Sequence, residues 1–360
     1  MIVEKEDLSL VYDNEQVKAN HLSEPSNSRP TALAAVVSDA TPLARIHLAQ
    51  KHYYPLNQTD NNGFGQPHAK LLSSEQTCFD THRNTHVDTK PTSLAVEAAV
   101  AIVINGIHYA VLMASPHQLE YLAMGFLFSE GLIHHIHELL DWEVTQLTDI
   151  ANYQRFTQES INEPLAYDIF LEQLQDYETY VVELTLNQRC HQRIQAQRRQ
   201  LAGRTGCGMC GITGLTQALP DLSAYQQDKL QVVKNKPSLE YLLTIRAHVD
   251  SAQHTHQLTG AVHAAATMQD QRLYLFEDVG RHNALDKLIG WQLRKKVDVD
   301  CVIMTSRLSI ELVQKSIRSQ IPWLVGMSAP TSTAVRVAER YGLGLAGFLR
   351  DNRVTYYAGS

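Results

Sequence analysis

Between Arg272 and Tyr357 short apolar runs alternate with amphipathic stretches, and no other feature of the 360-residue chain limits its fold as strongly. Arg272–Phe276, Cys301–Thr305, Trp323–Met327 and Leu343–Phe348 read as strands. Helices are expected between them at His282–Leu293, Ile310–Ser319 and Thr331–Tyr341, and a final strand at Arg353–Tyr357. Parallel strands need crossover connections, so this spacing predicts an α/β layered domain with a largely parallel sheet. In such sheets ligands bind beyond the carboxyl ends of the strands, where helix starts offer free N–H groups. Glu277–Asn283, Ser306-Arg307 and Ser328–Ser332 fall at those junctions, so one sheet edge would gather them. Arg281 and His282 at a helix start suit an anionic ligand. A helix cap with a surface ion pair accounts for them equally well.

The preceding part has a different character. No charged residue stands between Ala98 and Leu119, but Asn105-Gly106 at its centre signals a tight hairpin rather than a membrane span. Strands are expected at Val100–Ile104 and Ile107–Met113. Ser115-Pro116 would open a helix running to Phe128, with apolar residues at 119, 122, 123, 126 and 127 and a stop at Gly131. Trp142–Leu147 and Tyr180–Leu186 read as strands, and Gln188–Leu201 as a helix. The polar segment 148–178 reads as an insertion with a short helix. This organises the chain as a smaller α+β part over 91–215, a linker over 216–237 and the α/β domain over 238–360, opened by a helix at Ser238–Asp250. Residues 1–90 hold no Trp, and Phe64 and Phe79 are their only Phe. Such composition buries too little apolar surface to offset its ordering entropy, so an extension with short ordered pieces, around Ala32–Val37, is expected.

Lys and Arg number 31 against 38 Asp and Glu, a net charge of −7, which excludes a globally basic nucleic-acid binder. Any phosphate site must be a local patch. The five Cys do not form a secreted disulfide framework: Cys207 and Cys210 are close together, and Cys78, Cys190 and Cys301 are scattered. The start, MIVEKEDLSL, has no apolar signal core. A cytoplasmic protein is expected.

The chemistry concentrates in Gly203–Gly214, twelve residues with five glycines that contain Cys207-Gly208-Met209-Cys210. A thiol pair two residues apart on a glycine-rich loop fits half a zinc site, a dithiol exchange centre, or a thiolate nucleophile. No second CxxC completes a zinc site. Arg189, Arg193, Arg198, Arg199 and Arg204 put positive charge on the approach to the loop, which would raise the thiolate fraction. Cys78, His82 and His86 would share a face only if that segment were helical. His263-Ala264-Ala265 places Ala where a zinc deaminase of the His-x-Glu type keeps its proton-moving Glu. The chain could therefore share a deaminase-like scaffold without being a deaminase.

Several motifs occur in a fixed order: ASPHQLEYLAMGFLFSEG (114–131), GRTGCGMCG (203–211), TGAVHAAA (259–266), EDVGRHNALDKLIG (277–290), SRLSIELVQK (306–315) and SAPTSTA (328–334). Together they resemble the FdhD family of formate dehydrogenase accessory sulfurtransferases, over about residues 92–357. The resemblance implies a cytidine-deaminase-like layered α/β domain with a smaller N-terminal α+β subdomain. It implies a sulfur carrier in which Cys207 receives sulfane sulfur from a cysteine desulfurase, with Cys210 as second thiol. The acceptor would be the molybdenum cofactor, bis-molybdopterin guanine dinucleotide, before its insertion into formate dehydrogenase. The family's cofactor-binding segment maps onto Leu349, Arg350, Asp351, Asn352, Arg353 and Val354. Many members have Gly where this chain has Asn352, a residue that also tolerates positive φ. A homodimer is implied, with no structural metal, nucleic acid or membrane. The alternatives are a zinc-dependent deaminase-like enzyme using Cys207, Cys210 and His263, and a non-catalytic cofactor chaperone.

Overall fold

The computed structural model describes residues 36–37, 43–53, 86–149, 178–198 and 220–359. The chain enters as β1 (Val36–Val37) and a long antiparallel pair, β2 (Ala44–Tyr53) with β3 (His86–Ala95). The sequence therefore holds a ten-residue strand that composition alone did not suggest, and β1 joins the main sheet. The charge-free stretch then folds as β4 (Ala98–Ile104) and β5 (Ile107–Ala114). Asn105 and Gly106 both adopt positive φ, 48° and 76°, as the type I′ turn requires.

Helix α1 (Leu119–Ser129) follows, then β6 (Leu139–Leu147), β7 (Thr179–Leu186) and α2 (Gln188–Arg198). The four strands form one sheet in the order β5-β4-β7-β6, with β4 and β7 parallel. One face packs Val100, Ile102, Ile104, Val182 and Leu184 against Leu122, Phe126 and Leu127 of α1 and Ile194 of α2. The expected helix start at Ser115-Pro116 is displaced to Leu119. Ser115 does not cap the helix because its acceptors are engaged elsewhere: its Oγ accepts from Val279 N–H at 3.2 Å and its carbonyl accepts from Lys287 Nζ at 3.1 Å, while its N–H donates to Asp278 Oδ2 at 3.1 Å. Gln118 makes the entry instead, at φ 53° and without a side-chain cap. The insertion 148–178 lies almost wholly outside the described residues.

The second half brings α3 (Lys229–Lys234), α4 (Leu239–Ala252), α5 (His254–Thr259), β8 (His263–Gln269), β9 (Arg272–Asp278) and α6 (Arg281–Lys295). It continues with β10 (Cys301–Met304), α7 (Ile310–Arg318), β11 (Trp323–Gly326), α8 (Ser332–Tyr341), β12 (Gly344–Arg350) and β13 (Arg353–Ala358). The sheet order is β1-β9-β8-β10-β11-β12-β13. The sheet is mixed rather than largely parallel: β10, β11 and β12 run parallel, while β8 and β13 pair antiparallel with them. The β8–β9 hairpin was not legible because its turn, Asp270-Gln271, holds positive φ at both positions without a glycine.

Helices cover both faces, so the central strands are buried throughout. On β10, Val302 and Met304 face α6, α7 and α8, while Cys301 and Ile303 face Leu242, Ile245 and Val249 of α4. The expected linker contributes α3, whose Val232 is buried and accepts a 3.0 Å hydrogen bond from Trp323 Nε1. Among the described residues no helix is long and apolar enough to cross a membrane.

Helix α1 crosses α6 at two glycines. A Cβ on Gly125 would overlap the backbone carbonyl of Asp286, and a Cβ on Gly290 would overlap that of Tyr121. Backbone meets backbone here, and neither helix can retreat without opening the core. Gly290→Ala is therefore expected to destabilise the protein by about 3 kcal/mol, the upper end for overpacking. Gly106→Ala, which meets open space, costs only the strain of its turn, about 1 kcal/mol. Urea titration of the two variants checks the contrast.

Candidate functional site

The carboxyl ends of β9, β10, β11 and β12 and the start of β8 lie along one sheet edge, as their pairings require. Backbone hydrogen bonds knit the loops there into a continuous rim. Thr305 N–H donates to Ala264 O at 3.1 Å, Met327 to Met304 at 2.8 Å, Leu308 to Ala329 at 3.1 Å, Thr331 to Leu308 at 3.0 Å and Phe348 to Ser328 at 3.2 Å. The rim carries His263, Arg281, His282, Arg307 and, beyond β12, the segment Leu349–Val354.

The acidic side chains of β9 are occupied. Glu277 accepts from the N–H groups of Thr255 at 3.2 Å and His256 at 3.0 Å, which caps α5. Asp278 is fully buried and pairs with the equally buried Lys287 at 2.7 Å. It also accepts from Ser115 N–H, from Gly280 N–H at 2.8 Å and from Asn283 Nδ2 at 2.9 Å. Asp286, one turn further along α6, takes Lys315 of α7 at 3.0 Å and Ser129 of α1 at 2.6 Å.

Arg281 and Arg307 are left without an ion pair among the described residues. Arg281 Nε is buried with no hydrogen-bond partner, and the Arg307 side chain is exposed. The expected helix cap and surface ion pair do not describe Arg281 and His282: the cap position is Gly280, and Arg281 closes no ion pair among the described residues. Burial, together with Arg281 and Arg307, holds His263 below the usual imidazole range. Burial and the charges of Arg281 and Lys315 pull His282 further down, to about 4. Its Nε2 lies 3.9 Å from Glu311 of α7, too long for a hydrogen bond.

The segment 349–354 is the β12–β13 hairpin, with Arg350 opposite Arg353 and Asp351-Asn352 at its tip. Leu349 is fully buried and Val354 half-buried against the same core, so they anchor the hairpin. Arg350, Asp351, Asn352 and Arg353 are exposed, and Asp351 is held by Arg246 of α4 at 2.9 Å. Asn352 does not take a positive φ. The left-handed residue is Phe348, at φ 52°, inside a bulge between Gly347 and Arg350.

Three comparisons bear on identity. The model of the FdhD/NarQ family matches residues 95–360. Proteins named sulfur carrier protein FdhD match from Chromobacterium violaceum (39% identity, 73% of this chain and 87% of the relative) and from Acinetobacter baylyi (33% identity, 84% and 99%). The chain belongs to the FdhD/NarQ family. A crystal structure from Desulfotalea psychrophila, described as a formate dehydrogenase accessory protein, covers 88% of this chain and 97% of its own at 18% identity and a TM-score of 0.52, which supports the fold alone.

Within this family member Cys207 and Cys210 lie outside the described residues, as do Cys78 and His82; His86 opens β3, a strand and not a helix. Helix α2, which leads toward the thiols, is less free than its charge suggested. Arg193 is locked onto Glu138 at 3.0 Å, Leu132 O at 2.9 Å and Cys190 Sγ at 3.2 Å. His263-Ala264-Ala265 is an ordinary strand start, with Ala265 in the core. Among the described residues no three His, Cys, Asp or Glu converge on a metal position. The sequence reading missed Asn283, Asp286, Lys287 and Lys315. A signal existed: Asn283, Asp286, Lys287 and Gly290 recur at helical spacing, which puts polar groups on the face that must pack.

Lys287→Met leaves Asp278 charged and buried, and should cost about 3–5 kcal/mol in a urea titration. Adding Asp278→Asn should recover part of that loss. His282 gives a pH signature. Its folded value, about 4, lies below the ordinary 6.5, so the unfolded chain binds the proton first as pH falls. Stability should decline from about pH 6.5 to about pH 4, by on the order of 2–3 kcal/mol, and level off below. His282→Gln should remove that part of the slope, read from urea midpoints across the range.

Proposed function

We propose that this chain carries sulfur from a cysteine desulfurase to the molybdenum cofactor, bis-molybdopterin guanine dinucleotide, before that cofactor enters formate dehydrogenase. The observation that carries the reading is the family match over 95–360, with relatives named sulfur carrier protein FdhD at 33–39% identity. The rim supports it: an acceptor bearing phosphates needs local positive charge on an acidic protein, and Arg281, Arg307, Arg350 and Arg353 supply it while Glu277, Asp278 and Asp286 are engaged with α5, Lys287 and Lys315. The antiparallel β8–β9 pair beside parallel β10–β12, covered by helices on both faces, supports a deaminase-like layering. The work is assigned to the cytoplasm and to a homodimer.

In the loading step the Cys207 thiolate attacks the outer sulfur of the desulfurase persulfide. The S–S bond breaks, the desulfurase thiolate leaves, and Cys207 becomes the persulfide with no net change of redox state. Cys210 relays or shields that sulfur. Leu349 and Val354 anchor the hairpin whose Arg350, Asp351, Asn352 and Arg353 face the acceptor.

Incubation with a desulfurase and cysteine should add about 32 Da, one sulfur atom, to the protein and to Cys210→Ser, but not to Cys207→Ser. Cys207→Ser should also fail to restore formate dehydrogenase activity in a strain lacking this protein. Full maturation by Cys207→Ser overturns the assignment.

A further inference from the structure

We infer that a cleft at the amino-terminal edge of the main sheet binds a free α-amino acid with an apolar side chain. The inference is independent of the sulfur-carrier reading and of the rim, which lies at the opposite edge.

The cleft measures about 490 Å³, within the roughly 300–1,000 Å³ of small-molecule sites. Its walls come from the segments that lead into β10 and β11, from the last turns of α6 and α7, and from Phe128 of α1. Two buried polar atoms of these walls have no hydrogen-bond partner, Ser319 Oγ and Gln292 Oε1. Ser319 is only 7% exposed, and its carbonyl accepts from Gln292 Nε2 at 3.4 Å, which holds the amide at the end of α7. A buried polar atom left unpaired is costly, and a ligand group can supply what is missing. Gln292 Oε1 only accepts and Ser319 Oγ can accept, so the ligand must donate.

Charge decides the class. The Arg318 guanidinium packs over Gly131, where a Cβ would collide with it, and over the Tyr225 ring at 5.2 Å. It is thus held by packing, and it closes no ion pair among the described residues. Asp298 and Asp300 stand on the wall before β10 and close none there either. Opposite charges that share a cleft without meeting suit a ligand that carries both signs. Its carboxylate goes to Arg318, and its ammonium to Asp298, Asp300 and the two unpaired oxygens. The carboxyl ends of α6 and α7 carry partial negative charge and favour an ammonium as well. A phosphate or other net anion would meet two carboxylates and two such helix ends. A bare metal ion would face the guanidinium, and among the described residues no three His, Cys, Asp or Glu converge on a metal position. Phe128, Tyr225 and Pro322 leave apolar wall for the side chain.

Calorimetric titration of the full chain tests this with L-leucine, with isocaproate, the same skeleton without the ammonium, and with isoamylamine, the skeleton without the carboxylate. L-Leucine should bind at least tenfold more tightly than either. Arg318→Gln should weaken L-leucine and isocaproate at least tenfold and leave isoamylamine unchanged. Asp298→Asn combined with Asp300→Asn should weaken L-leucine and isoamylamine and leave isocaproate unchanged. Ser319→Ala removes a hydroxyl that has no partner in the free protein, so it should weaken L-leucine without lowering the urea midpoint. The inference fails if L-leucine does not bind the unsubstituted protein, if either analogue matches it, if the arginine and aspartate variants affect the same analogue, or if Ser319→Ala keeps full L-leucine affinity.

Discussion

The buried pair of Lys287 and Asp278 is the interaction on which the rest of the molecule depends. Two charges taken out of water are tolerated only when nearly every donor and acceptor is satisfied. Here they are. The Lys287 ammonium has three protons, and it finds Asp278, Ser115 O and Glu277 O. Each oxygen of Asp278 has two donors: Oδ2 takes Lys287 and Ser115 N–H, and Oδ1 takes Gly280 N–H and Asn283. Ser115 belongs to the end of the β4–β5 hairpin, so the pair welds the first sheet to the second. The glycine crossing of α1 and α6 brings the helices close enough for this, and Lys315 with Asp286, Glu130 and Ser129 closes the far end.

This weld also sets the electrostatics of the rim. An isolated Asp278 or Glu277 would pair with the nearest arginine. Because both carboxylates are turned toward the interior and toward α5, Arg281 and Arg307 keep their charge for something else. Burial first, and then the neighbouring cations, lower His263 and His282 below the usual imidazole range. Cys190 and Cys301 are both buried, and burial raises their thiols, Cys301 to about 12. Neither suits a nucleophile.

Much of the architecture was legible where local rules decide. Asn105-Gly106 specified its turn because both residues accept positive φ, and the α6, α7 and α8 periodicities placed those helices within a few residues. The β8–β9 hairpin was not legible, since Asp270-Gln271 makes a left-handed turn without glycine. The α1 start was misplaced because Ser115, a good cap by residue type, has its hydroxyl and carbonyl oxygens taken by Val279 N–H and Lys287, more than 160 positions away. Arg193 looked like a contributor of field to the thiols and proved to be a structural tie to Glu138.

The sequence by itself determined the strand–helix alternation, the thiol pair with its glycine setting, and the motif order that marks the family, since each depends on residue type and spacing along the chain. Tertiary structure alone decided which charges are free. Asp278 and Arg281 are three residues apart in one motif, yet one is fully buried in a salt bridge and the other closes no ion pair among the described residues. Strain at Phe348 was likewise invisible, because it arises from a bulge against β13 and a hydrogen bond to Ser328. In both cases the deciding partner is distant in sequence, and only packing brings it within reach.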